Sequence, residues 1–172
     1  GNPVIGQASS LKDAVTVPGA ALKGEWSETP ANPGIYTATY TAQTVGTALK
    51  ATLKVSDGNV ESAATYAITA GVVAALHSTI KLDKASYKSG EAMKLTVTLK
   101  DAAGNAVSGQ TASLKDAVTV PNATLKSGSG WTDNRDGTYT AMYTADKVGV
   151  NLQAKLTLNG VSATSDAYAI TA

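Results

Sequence analysis

The chain has 172 residues, enough for one large domain or two small ones, with 43% hydrophobic and 16% charged residues and a formal charge of +1. That balance excludes a highly charged disordered tail and offers no electrostatic case for binding nucleic acid; no stretch approaches the ~20 apolar residues of a membrane span, and the N-terminus carries no signal-peptide pattern. Cysteine is absent and His77 is the one histidine, which excludes disulfide scaffolds, zinc–thiolate sites and cysteine nucleophiles and removes most routes to acid–base catalysis near neutral pH.

In chain order the first motif is SLKDAVTVP at residues 10–18, which recurs letter for letter at 113–121. Gly1-Asn2 matches Gly104-Asn105, Gly6-Gln7 matches Gly109-Gln110, and Trp26 matches Trp131. Tyr36-Thr37-Ala38 and Tyr40-Thr41-Ala42 recur at 139–141 and 143–145, Val45-Gly46 at 148–149, and YAITA closes both copies at 66–70 and 168–172. Roughly half the aligned positions are identical at a spacing of about 102–103 residues, the size of one small domain and too long for a solenoid unit. Residues 71–172 are therefore expected to form one complete domain. Residues 1–70 match its last two-thirds, with no counterpart of 71–103, and are expected to lack the first strands, as in a fragment of a longer array.

Strand follows strand. Leu49, Ala51, Leu53 and Val55 alternate with other residues, and Asp57-Gly58 signals a tight hairpin. The stretch 71–76 is too apolar and short for a flexible tether, so neighbouring domains are expected to sit end to end. A strand should follow near His77 to Leu82. Next comes one carrying Met93, Leu95, Val97 and Leu99 on one face and Lys94, Thr96, Thr98 and Lys100 on the other. The repeated Leu-Lys-Asp-Ala at 11–14, 99–102 and 114–117 predicts strand ends turning into loops. Tyr139, Ala141 and Tyr143 mark a further strand, and Leu152, Ala154, Leu156 and Leu158 another. Asn159-Gly160 predicts a hairpin into Val161 to Ile170. No window shows a helical stripe. Seven or so short strands per ~100 residues predict an all-β fold of tandem two-sheet sandwiches, the first N-terminally incomplete.

Several stretches resemble the bacterial Ig-like group 1 (Big-1) repeats of intimin- and invasin-type inverse autotransporter adhesins. They are Ser86-Tyr87-Lys88-Ser89-Gly90, Leu99-Lys100-Asp101-Ala102-Ala103-Gly104-Asn105-Ala106-Val107-Ser108-Gly109, Asp136-Gly137-Thr138-Tyr139-Thr140-Ala141 and the closing Tyr-Ala-Ile. The resemblance implies Ig-like domains, neighbouring repeats of the same parent chain as partners, and a rod projecting from an outer-membrane barrel outside this chain. No cofactor is expected.

Two functions are weighed: a stalk segment of a surface adhesin, and a module binding a host protein or glycan through loops at one end of the sandwich. The candidate binding loop runs from Lys126 to Arg135, where the copies differ, with Lys126, Trp131, Asp133 and Arg135 as its residues. Tyr139 and Tyr36 are expected to bond backbone through their hydroxyls, as in a tyrosine corner, and Trp26 and Trp131 to pack. Asp133, Asn134 and Asp136 fail the spacing of a calcium loop, and the acids do not repeat at Ala31-Asn32-Pro33-Gly34, so a solvated turn is expected. His77 should be a partly exposed strand residue. No Ser/His/Asp set assembles in both copies, which excludes a hydrolase triad. An incomplete first copy should expose an apolar edge, open to completion by upstream residues or by a homodimer partner.

Overall fold

The chain forms two compact units, Gly1–Thr69 and Ala70–Ala172; the computed structural model describes residues 2–172. The second unit is a sandwich of sheets whose strand pairs are antiparallel except for one parallel pair. On one side, Ala123–Leu125, Thr138–Ala145, Ala92–Thr98 and Thr79–Leu82 lie in that order, with Thr132–Asp133 also on the outer edge of Thr138–Ala145. Two three-stranded sheets complete the fold. One holds Val118–Thr119, Lys155–Leu158 and Val161–Thr164; the other holds Gly149–Leu152, Tyr168–Thr171 and Ser86–Lys88.

Period-two alternation builds this core. Met93, Leu95 and Val97 face Tyr143, Ala141 and Tyr139 across the central pair, and all six are buried. Leu99, Leu114, Ala154, Leu156 and Ile170 close the interior. Side chains on alternate positions of paired strands meet on one face, so the sequence pattern becomes a packed layer directly. Ser86–Lys88 runs parallel to Tyr168–Thr171, bringing the Tyr87 ring edge-on to Tyr168 at 6.3 Å.

Three expectations are corrected. Leu-Lys-Asp-Ala ends a short α-helix in each copy, Ala8–Ala14 and Thr111–Ala117, and forms a strand end only at 99–102. Two turns of helix that bury Leu114 alone leave no apolar stripe to detect, and packing rather than propensity must hold so short a helix. The run Leu152 to Leu158 is two strands. Gly149–Leu152 pairs with Tyr168–Thr171, whereas Lys155–Leu158 pairs with Val118–Thr119, so the chain changes sheet at Gln153-Ala154 with unbroken alternation. His77 lies exposed in a 3₁₀ turn, Ala75–His77, ahead of the Thr79–Leu82 strand.

Asn159 and Gly160 both take positive φ in the Leu158–Val161 hairpin, as a primed two-residue turn requires. In the first unit the turn falls one residue earlier than expected. Val55 pairs with Gly58 around Ser56-Asp57, and the positive φ sits on Gly58.

The first unit repeats the later elements: helix Ala8–Ala14, the pair Ala20–Glu28 with Tyr36–Ala42, the pair Gly46–Leu49 with Tyr66–Ile68, and the sheet Val15–Thr16, Thr52–Val55, Gly58–Glu61. Its sequence register follows the second unit, but none of its described residues is buried.

Candidate functional site

At one end of the second unit a polar clamp holds the segment that enters the short helix. The Tyr139 hydroxyl donates to the Val107 carbonyl at 2.6 Å and accepts the Gln110 amide at 3.2 Å. Asp133 accepts the Gly109 amide at 2.7 Å through one carboxylate oxygen and the Arg135 amide at 2.7 Å through the other. The Gly109 and Arg135 amides, then the Arg135 charge, hold the Asp133 carboxyl below the usual carboxylate range. The hydroxyl bonds backbone, as expected from the sequence, and its carbonyl partner lies 32 residues upstream, so it ties two distant segments.

The first unit carries the same clamp. Tyr36 donates to the Val4 carbonyl and accepts the Gln7 amide, both at 2.9 Å. Glu28 accepts the Gly6 amide at 3.0 Å and the Gly34 amide at 2.8 Å, and those two amides lower its carboxyl. Glu28 therefore stands where Asp133 stands, each opposite its tyrosine across the same strand pair. This corrects the expectation for Asp133, whose acid repeats as Glu28; Asp136 has Pro33 in its place and does not repeat. A two-residue length difference hid the match: Ala20–Glu28 is one strand with a register shift between Lys23 and Ser27. Its counterpart is split into Ala123–Leu125 and Thr132–Asp133 by the loop from Lys126. The signal that could have found it is the repeated Gly-Gln pair at 6–7 and 109–110, whose glycine amides both face the acid.

Two further pins repeat. Ser62 and Ser165 hydroxyls accept the Ala51 and Ala154 amides at 3.2 and 2.9 Å, where the chain changes sheet. The hydroxyls of Tyr66 and Tyr168 donate to the carbonyls of Pro18 and Pro121. Burial pushes Tyr168 up to about 12, so it stays a neutral donor.

The four loop residues are strung along the edge of Thr138–Ala145. Lys126 is exposed, and its amide bonds the Met142 carbonyl at 2.9 Å. Asp133 pairs with Tyr139, three residues away along that strand, or roughly 10 Å at strand rise. The structure brings Asp133 and Arg135 together in one turn, where Arg135 is exposed and takes φ 64°. Trp131 is half-buried against the core and borders a shallow cleft of about 340 Å³ with Thr111, Ala112 and Lys115. Its indole N–H has no partner, and neither has that of Trp26. Asp136 accepts the Thr138 hydroxyl and amide, which lower its carboxyl in that order. Among the described residues no three His, Asp or Glu side chains are grouped to hold a metal.

A buried carboxylate, Asp101, organises the other turn of the family-like stretch. Asp101 accepts the amides of Gly71, Ala103 and Asn105 at 2.9, 3.0 and 2.8 Å and the Asn105 side-chain amide. The Gly71 amide leads in holding its carboxyl down at about 2.

Comparison with known proteins agrees with this architecture. The chain is 40% identical over 80 residues to the inverse autotransporter adhesin YeeJ of Escherichia coli, a match covering 46% of this chain and 3% of that protein. The solved structure of the E. coli adhesin FdeC superposes with a TM-score of 0.56 at 26% identity, covering 98% of this chain and 54% of that one. Yersinia pseudotuberculosis InvD shares the fold, with a TM-score of 0.55 at 24% identity over 99% of this chain and 48% of its own. The chain thus spans a small part of YeeJ and about half of each solved relative. The model of invasin domain 3 matches residues 74–172, nearly the whole of the second unit, and the chain belongs to that invasin domain 3 family of adhesin-type, Ig-like domains.

Proposed function

We propose that this chain is a spacer segment of a bacterial surface adhesin, lying outside the cell and held at the outer membrane by a domain outside this sequence. In this reading it is non-catalytic and has repeats of its own kind as neighbours. The observation that carries it is that the side chains shared by the two copies serve the fold. The tyrosine–acid clamps, the serine pins and the tyrosine–proline carbonyl bonds all terminate on backbone of the same unit. A repeated binding chemistry would instead aim polar groups outward from both copies. At the candidate loop the Asp133 carboxylate is engaged on both oxygens, and Lys126 lies well along the strand from it. The inverse autotransporter relative supports the location.

The test is binding of the purified, labelled chain to epithelial cells and to immobilised glycans. A spacer gives no saturable binding. Saturable binding that is lost in Lys126→Ala or Arg135→Ala, with the fold intact by circular dichroism, would overturn it in favour of a host-binding loop.

A further inference from the structure

The first unit presents an apolar face whose occupant is specified by the second unit. Leu11, Val15, Trp26, Tyr36, Leu53 and Val60 line an open cleft of about 390 Å³. Tyr139, Ala141 and Tyr143 are 0–7% exposed because Val97, Leu95 and Met93 lie against them. Their counterparts Tyr36, Ala38 and Tyr40 have no such strand: Tyr36–Ala42 pairs with Ala20–Glu28 alone among the described residues. Tyr66–Ile68 likewise pairs with Gly46–Leu49 alone, whereas Tyr168–Thr171 also carries Ser86–Lys88 in parallel. One sheet edge, one strand flank and one apolar cleft are thus open on the same unit, and in the second unit strands from residues 79–98 occupy all of them.

We propose that the first unit is an acceptor for a donated β-segment with the chemistry of residues 79–98. The donor adds a strand to Tyr36–Ala42 with Val, Leu and Met at alternate positions against Tyr36, Ala38 and Tyr40. It places a tyrosine, equivalent to Tyr87, beside Tyr66. Main-chain pairing at an open edge supplies affinity, and pockets for alternate side chains supply selectivity. A second folded copy of this chain is the poorer donor. Its own 79–98 strands complete its second unit, and releasing them would expose there the core they cover here. The donor is therefore a segment not already held in a finished sandwich. This holds whether the chain serves as spacer or as binder.

The experiment adds a synthetic peptide of residues 78–103 to the full chain in a Trp131→Phe background, so that Trp26 reports on the cleft. The expected result is a saturable 1:1 change in Trp26 emission. Hydrogen exchange should slow at least tenfold at those Tyr36–Ala42 and Tyr66–Ile68 amides that have no strand partner, and be unchanged in the second unit. A peptide carrying Leu95→Lys and Val97→Lys should produce neither change. The proposal is overturned if the native peptide at saturating concentration leaves those amides unprotected, or if the lysine peptide protects them equally. It is also overturned if the amides are already protected without peptide in a chain that sediments as a dimer, which would seat a second copy there.

Discussion

The two units put the same residues in two environments. Leu11 and Leu114, Tyr36 and Tyr139, Leu53 and Leu156, and Ile68 and Ile170 are matched in sequence and in secondary structure. In the second unit each is buried, and in the first none is. The local hydrogen-bond pins are nevertheless alike in both, down to the tyrosine hydroxyl that donates to a carbonyl and accepts an amide at the helix entrance. Hairpins and helices therefore arise from the local sequence, and the clamps, which join segments 22–32 residues apart, form in both units without a partner from strands 79–98. Burial depends on strands 79–98, which contribute Ile80, Met93, Leu95 and Val97 to a single interior. Apolar area removed from water scales with what covers it, so identical side chains stabilise the two units unequally.

Paired substitutions break or sharpen this contrast, and the largest effect belongs to the helix leucine. Leu114→Ala should destabilise the second unit by about 2–5 kcal/mol, as loss of a fully buried leucine does. Leu11→Ala should cost less than about 1 kcal/mol, because Leu11 is already part-exposed. Urea unfolding of each variant separates them, and equal losses would mean that Leu11 is covered in solution.

The clamp tyrosines come next. Tyr139→Phe leaves the buried Val107 carbonyl and the Gln110 amide without their partner and should cost about 1–3 kcal/mol. Water can replace the Tyr36 hydroxyl, so Tyr36→Phe should stay within about 0.5 kcal/mol. Calorimetric melting of the two variants reads the difference.

Acid titration gives a smaller, graded effect. Asp101 has a folded pKa of about 2, below its unfolded value of ~3.9. Its contribution to stability is present in full above pH ~4 and is lost as pH falls toward 2, because the unfolded chain takes up the proton first. Asp133 and Asp136 shift in the same direction. The melting temperature of the second unit should therefore drop between pH 4 and pH 2, and Asp101→Asn should flatten that drop. A profile unchanged in the variant would remove Asp101 as its source.

The smallest change is expected at tryptophan. Trp131→Phe removes packing area and an indole N–H that has no partner, two effects of opposite sign, so the net loss should be below about 1 kcal/mol. A loss above 2 kcal/mol by urea titration would mean that the N–H is bonded in solution.

Much of this molecule was legible before its structure. The repeat, the all-β class and the Met93–Leu99 and Tyr139–Tyr143 strands follow from period-two patterning, which maps directly onto a sheet face. Tyr139 is legible as a fold residue from its matched position, whereas Trp131, expected to pack and also placed in the candidate binding loop, is half-buried against the core. The short helices were not legible, since seven residues with one buried leucine carry no periodic signal. Nor was the sheet change at Gln153-Ala154, across which the alternation runs on. The equivalence of Glu28 and Asp133 was hidden by two inserted residues, and strand pairing revealed it because hydrogen-bond register is blind to loop length.

By itself, then, the sequence determined the period, the strand-forming segments and which side chains belong on one face, because alternation and turn chemistry act over a few residues. Only the tertiary structure decided which of those faces are covered, which carboxylates hold backbone amides and where a continuous run divides between sheets. Those outcomes depend on segments tens of residues apart meeting in space, and for the first unit they depend on strands for which none of its described residues supplies a counterpart.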